Sequence, residues 1–216
     1  MKKYFYLTIY LFLVTNILFG QSDPKAIEIL DRVSAHMQTF KTMYAEFQFI
    51  LENNQENITD KRYGKIWIKG DKYKIDMMGT ETYFNGKSQW TYLKESNEVN
   101  ITTPDPDDDE TINPAKIFDI YQKGFKVRYI AQKFEDTRAL YVIDLYPIDK
   151  SKPFSRITLK IDKDKNELYA FKRFDKDGNY YTIKIGKITP NKPLVESTFL
   201  FNKAKHPGVE IIDLRD

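Results

Sequence analysis

From Ala45 onward the chain alternates apolar and polar residues in one short run after another, and this alternation limits what it can fold into. Ala45, Phe47, Phe49 and Leu51 alternate with Glu46, Gln48 and Ile50. Ile66 and Ile68 stand among Lys65, Trp67 and Lys69, and Tyr73, Ile75 and Met77 among Lys72, Lys74 and Asp76. Trp90 and Tyr92 alternate with Gln89 and Thr91. A period of two sends successive side chains to opposite faces of a β-strand. The same reading places further strands at 97–103, 125–132, 138–146, 154–162, 167–174, 179–188 and 195–202. Asn85-Gly86 and Asp177-Gly178 are hairpin dipeptides, and Lys163-Asp164-Lys165-Asn166 is a polar turn. Short strands joined by tight turns make an antiparallel meander, either a sandwich or a curved barrel-like sheet.

Two segments break the pattern. Asp23 to Phe40 reads as a helix, with Asp23 as its cap, Pro24 in its first turn and a stripe of Ile27, Leu30, Val33 and Met37. Pro104 to Glu110 is an acidic loop, read as solvated; Asn113 then caps a short helix that starts at Pro114 and carries Ile117, Phe118, Ile120 and Tyr121. Two helical pieces are too little to cover a wide curved sheet. The expected architecture is mainly β: an incomplete curved antiparallel barrel, with an N-terminal helix and a short helical lid over a hydrophobic cavity.

The N-terminus reads as an address. Lys2 and Lys3 precede an apolar run from Tyr4 to Phe19, then small Gly20 and polar Gln21-Ser22-Asp23. This is the pattern of a cleaved signal peptide over residues 1–20, leaving one domain over 21–216. The competing reading is a membrane anchor, for which the run is short. The chain's net charge of +3 falls to +1 when Lys2 and Lys3 are removed. Near-balance of charge argues against nucleic acid as a partner. The absence of cysteine excludes disulfides, thiolate-bound zinc, a thiol nucleophile and a lipid-modified N-terminal cysteine. His36 and His206 are the only histidines and are expected at the surface. Asp162 to Asn166 begins like a calcium loop, but Glu167 and Arg173 stand where the loop needs Gly and a bidentate Glu. With no nucleophile or metal motif, no enzyme activity and no cofactor are expected. The aromatic share of 15% exceeds what this reading needs for a core, and rings also line pockets for apolar ligands.

Four stretches resemble the LolA-type outer-membrane lipoprotein carriers. They are the helix Ile27 to Phe40 running into Tyr44-Ala45-Glu46-Phe47-Gln48; Gly64 to Ile75 (GKIWIKGDKYKI); Asn85 to Tyr92 (NGKSQWTY); and Phe199 to Asp213 with Pro207-Gly208-Val209. The resemblance implies a periplasmic carrier that shelters the acyl chains of lipoproteins between the inner and outer membranes. It implies acylated lipoproteins as cargo, an inner-membrane lipoprotein-releasing transporter as a partner, room for an outer-membrane acceptor, and a monomer. By position it assigns acyl contact to Leu30, Met37, Ile66, Ile68, Tyr73, Ile75, Met77, Trp90, Tyr92 and Phe118. The family carries Arg-Pro after the Lys of its second motif, with a lid-closing role for that Arg. Gly70 stands in their place here, leaving Lys69 and Lys72 as the nearest cations. The alternative is a lipid-binding or sensor module of the same fold that does not sort lipoproteins, since fold alone does not fix function.

Overall fold

The computed structural model describes residues 22–53, 55–105 and 113–215. The expected signal peptide and most of the acidic loop, from Pro106 to Glu110, lie outside the described residues. Helix α1 (Pro24–Gln38) opens the fold. Its cap is as expected: the Asp23 carboxylate accepts from the Lys25 amide at 2.9 Å, and Pro24 needs no donor there. The buried stripe is Ala26, Ile29, Leu30, Val33 and Met37, so the helix is turned slightly from the expected register and Ile27 is only half-buried.

Twelve strands follow among the described residues. The first half comprises β1 (Met43–Asn53), β2 (Ile58–Lys69), β3 (Lys72–Met77), β4 (Thr80–Phe84), β5 (Gln89–Leu93) and β6 (Glu98–Thr102). The second half comprises β7 (Phe125–Glu135), β8 (Arg138–Pro147), β9 (Phe154–Asp162), β10 (Glu167–Asp175), β11 (Asn179–Pro190) and β12 (Glu210–Asp213). They form one sheet in the order β12-β6-β5-β4-β3-β2-β1-β11-β10-β9-β8-β7. Every pairing is antiparallel except β12 on β6. The sheet curls without closing, because β7 and β12 end it rather than pairing with each other. The expected fold class is therefore the observed one.

One expected strand is absent. Residues 195–202 form a 3-10 turn at Glu196–Phe199 and irregular backbone, with Phe199 fully buried. Strands β4 and β12 were not expected: β4 has no alternating apolar pair, and β12 is only four residues long.

The register separates two faces. Met43, Ile68, Tyr73, Phe84 and Gln89 form one cross-strand row, and Ala45, Ile66 and Ile75 belong to the next. These point inward, where α1 packs against β7 and β10. The main core lies there, with Leu30, Val127, Ile143, Leu145, Ile157 and Ile161 nearly inaccessible. A second, smaller core lies on the outer face. Tyr92, Val99 and Val209 are buried there, with Trp90 and Phe201 against them.

The start of the described chain also fixes the edge of β7. The Asp23 amide donates to the Val127 carbonyl at 2.9 Å, and the Val127 amide donates to Ser22 Oγ at 3.1 Å. Part of an open sheet edge is thus satisfied locally.

Candidate functional site

The inner face is covered unevenly. Helix α1 packs on β7 and β10, and the lid turn Pro114–Lys116 reaches β3, where Met43, Ile68 and Tyr73 are buried, while the rest of the wall of β1–β3 and β11 is only partly covered. On that wall Phe47, Phe49, Ile66, Ile75, Met77, Ile183 and Ile185 are only half-buried. A row of half-exposed apolar side chains on a concave surface is a ready site for an apolar ligand.

Three hollows adjoin this wall. The largest, about 900 Å³, lies between Tyr73, Phe84 and Gln89 on one side and Phe125, Phe154 and Ile157 on the other. Ring pairs stiffen both sides: Tyr73 and Phe84 lie 5.2 Å apart, and Phe125 stacks on Phe154 at 6.1 Å. A second hollow, about 250 Å³, runs between the end of α1 and the lid, past Met37, Phe40, Met43, Ile68 and Phe118. A third, about 520 Å³, is lined by Phe47, Gly64, Met77 and Ile185 and also by the polar residues that alternate with them, Glu46, Gln48, Lys65, Asp76 and Lys184. The Phe47 ring lies across the bare backbone of Gly64, where a Cβ would meet Phe47 Cζ at 2.5 Å, so a larger residue there needs the ring to shift.

The polar features have clear causes. Tyr73 is 4% exposed, and its hydroxyl donates to Gln89 Oε1 at 2.8 Å. Burial pushes its pKa up to about 12, so the ring stays neutral at physiological pH. Beyond Gln89 the inner row continues to Thr102, and the neighbouring row carries Thr82, Thr91 and Asn100. The wall therefore passes from apolar at β1–β3 to polar at β5–β6.

The lid consists of two short 3-10 turns, Pro114–Lys116 and Ile120–Gln122. Asn113 caps the first, accepting from the Ala115 amide at 2.9 Å. Ile117 and Tyr121 are buried in the main core, with Phe118 half-buried against it. Two hydrogen bonds tie the lid to α1. Ser34 Oγ donates to Asp119, and the Tyr121 hydroxyl donates to Asp31 Oδ1 at 2.6 Å. Burial, then this bond to Asp31, raises the Tyr121 pKa to about 12.

The cations beside Gly70 do not reach the lid. Lys69 and Lys72 both bind the Glu196 carboxylate, at 2.7 and 2.6 Å, and so anchor the C-terminal segment. These two lysines hold the Glu196 pKa down to about 2.

Of the ten residues expected at the acyl site, eight share the inner face. Leu30, Met37, Ile68 and Tyr73 belong to the main core, Ile66, Ile75 and Phe118 pack against it, and Met77 lines the third hollow. Trp90 and Tyr92 do not join them. Their row pairs Tyr83 with Trp90 and Ile101, and Glu81 with Tyr92 and Val99, all on the outer face. There Tyr92 packs on Phe201 at 5.4 Å and on His206 at 4.3 Å. The reason is that the outer face of β5 is covered by Phe201 and Val209, so its aromatic positions mark the outer core instead of the cavity. His206 is accordingly half-buried, stacked on Phe201, and not a surface residue. Phe47, Phe84, Phe125 and Phe154 were missed; the parity of β1 pointed to Phe47, but nothing in the sequence pairs β3–β4 with β7–β9 across the cavity.

Among the described residues no cluster of acidic or histidine side chains could hold a metal. Asp162, at the calcium-like stretch, accepts from Arg138 and from the amides of Asp164 and Lys165. No described helix is long and apolar enough to cross a membrane.

Solved structures of other proteins align with most of this chain. An uncharacterized conserved protein from Thermus thermophilus is similar at TM-score 0.56 and 14% identity, covering 88% of this chain and 99% of that one. A LolA superfamily protein from Nitrosomonas europaea aligns at TM-score 0.44 and 11% identity, over 82% and 97% of the two chains. The Mycobacterium tuberculosis lipoprotein LppX aligns at TM-score 0.48 and 10% identity, over 81% and 99%. None of the curated proteins matches the chain. The family model described as outer membrane lipoprotein carrier protein LolA matches residues 18–173, and the chain belongs to that family.

Proposed function

We propose that the protein is a periplasmic carrier that shelters lipoprotein acyl chains on the inner wall of its sheet during transit between membranes. The observation that carries this reading is the half-exposed apolar wall of β1–β3 and β11, which α1 leaves uncovered. Acyl chains need such a wall. Exposing one methylene costs about 0.8 kcal/mol, so a chain of about sixteen carbons forfeits about 12 kcal/mol in water. The change from apolar β1–β3 to polar β5–β6 suits a ligand whose chains end in a polar linkage. A shallow wall with a hydrogen-bonded lid also permits release, because two exchangeable bonds hold the lid.

The signal-peptide pattern of residues 1–20 accords with a periplasmic address, and 21–216 then act as one carrier domain. Acylated lipoproteins are the cargo, an inner-membrane releasing transporter is the donor, and an outer-membrane acceptor is the recipient. The protein works without a cofactor and catalyses no reaction.

Native mass spectrometry of protein extracted gently from the periplasm tests this. An adduct with the mass of an acylated lipoprotein is expected. A phospholipid adduct alone, with normal lipoprotein sorting after gene deletion, would instead identify a lipid-binding module of the same fold. The variant Tyr73→Glu buries a carboxylate in the cavity wall and is expected to weaken binding of a diacylated peptide at least tenfold. Wild-type affinity in that variant would remove Tyr73 from the site.

A further inference from the structure

The outer face of the same sheet carries a groove that the carrier reading leaves unused. It is about 640 Å³ in volume and crosses β2, β1, β11, β10, β9, β8 and β7. Six cations line it: Lys61, Lys133, Arg156, Lys160, Lys172 and Lys184. Only three acids do, Glu52, Glu135 and Asp144. The groove thus carries an excess of three positive charges, while residues 21–216 as a whole carry a net charge of only +1.

The groove's acids are already engaged. Glu135 pairs with Lys160, and Glu52 pairs with Lys172 at 2.5 Å. Asp144 is 4% exposed and accepts from Thr158 Oγ1 at 2.6 Å and the Tyr146 hydroxyl at 3.0 Å, with Arg156 at 3.6 Å. Lys184 turns to Asp136. Lys61 and Lys133, at opposite ends of the groove on β2 and β7, are exposed and have no acidic partner among the described residues. Apolar surface lies between the charges. Arg156 sits 4.1 Å over the Phe174 ring, Lys184 5.2 Å from the Tyr169 ring, and Ile130 is 48% exposed at the β7 end.

We infer that this outer groove docks an acidic, extended segment of a partner protein. The chemistry selects the occupant. Two unpaired lysines at the ends ask for carboxylates, and the apolar floor asks for interleaved aliphatic side chains. Six strand spacings of about 4.8 Å separate β2 from β7, about 29 Å in all, the length of about nine extended residues. A concave groove fits a chain better than it fits a flat anionic membrane. The site lies on the face opposite the acyl wall and does not rest on the carrier reading.

The test is fluorescence anisotropy with a labelled ten-residue peptide alternating Glu with Val and Ser. At 50 mM salt the wild-type protein is expected to bind it, with affinity falling at least tenfold by 300 mM salt. The double variant K61E/K133E is expected to weaken binding at least tenfold, and K61Q/K133Q to fall between. The control K203E/K205E, which reverses two exposed lysines away from the groove, is expected to bind as wild type. Circular dichroism checks that each variant is folded. Absence of binding, or equal loss in the groove and control variants, overturns the inference. Equal binding of phosphatidylglycerol vesicles through Lys61 and Lys133 would overturn the peptide assignment and identify a membrane-docking face.

Discussion

Gly64 shows how one missing side chain shapes the candidate site. It opens the motif GKIWIKGDKY, and in the fold the Phe47 ring lies where its Cβ would be. Gly64→Val is expected to push that ring from the wall and to cost about 1–3 kcal/mol in a denaturant melt, as overpacking does. Unchanged stability would mean that the ring moves aside freely. Two tyrosines give a second residue-level test. Tyr73 and Tyr121 both have pKa values raised to about 12, each first by burial. A raised pKa means that the folded state favours the neutral hydroxyl. Their contribution is full below the ordinary tyrosine value of 10 and is lost as pH climbs through 12. Thermal midpoints are therefore expected to fall between pH 10 and 12, and to fall less in Tyr73→Phe and Tyr121→Phe.

At the level of elements, the lid and the C-terminal segment are held by different contacts. The lid's two hydrogen bonds to α1 are worth about 1 kcal/mol each. Removing both in Ser34→Ala with Tyr121→Phe is expected to speed amide exchange over residues 113–122 about thirtyfold. Unchanged exchange would mean that the apolar packing of Ile117, Phe118 and the ring at position 121 holds the lid. The C-terminal segment depends on Glu196, whose pKa of about 2 lies below the ordinary 4.5. Its attachment to Lys69 and Lys72 is present above pH 4.5 and lost as pH falls through 2. Limited proteolysis near Glu196 is expected to accelerate in that window, and at neutral pH in Glu196→Gln. Much of this level was legible in the sequence. Alternation marked β1, β2, β3 and the inward side of each, and Asp23-Pro24 and Asn113-Pro114 marked both helical starts. The face of β5 was not legible. Trp90 and Tyr92 alternate as cavity residues would, but the covering residues Phe201 and Val209 lie more than a hundred positions away. Local pattern records that a side chain is buried, not which layer buries it.

The whole molecule is one sheet with distinct features on its two faces. Its order, with the N-terminal β1 in the middle and β7 and β12 at the edges, leaves the barrel open. One helix and a short lid cannot cover the inner face, and the uncovered part is apolar. The outer face is divided between the aromatic core under the C-terminal segment and the basic groove. The proposed carriage of lipoproteins depends on acyl chains lying on the inner wall of β1–β3 and β11. Photo-crosslinking reads that placement directly, using a diacylated peptide whose acyl chains carry a diazirine, followed by peptide mapping. Labels are expected on Phe47, Ile66, Met77 and Ile185, and none on Trp90 or Tyr92. Labels concentrated on the outer face, or labelling no greater than with a non-acylated diazirine peptide, would contradict it.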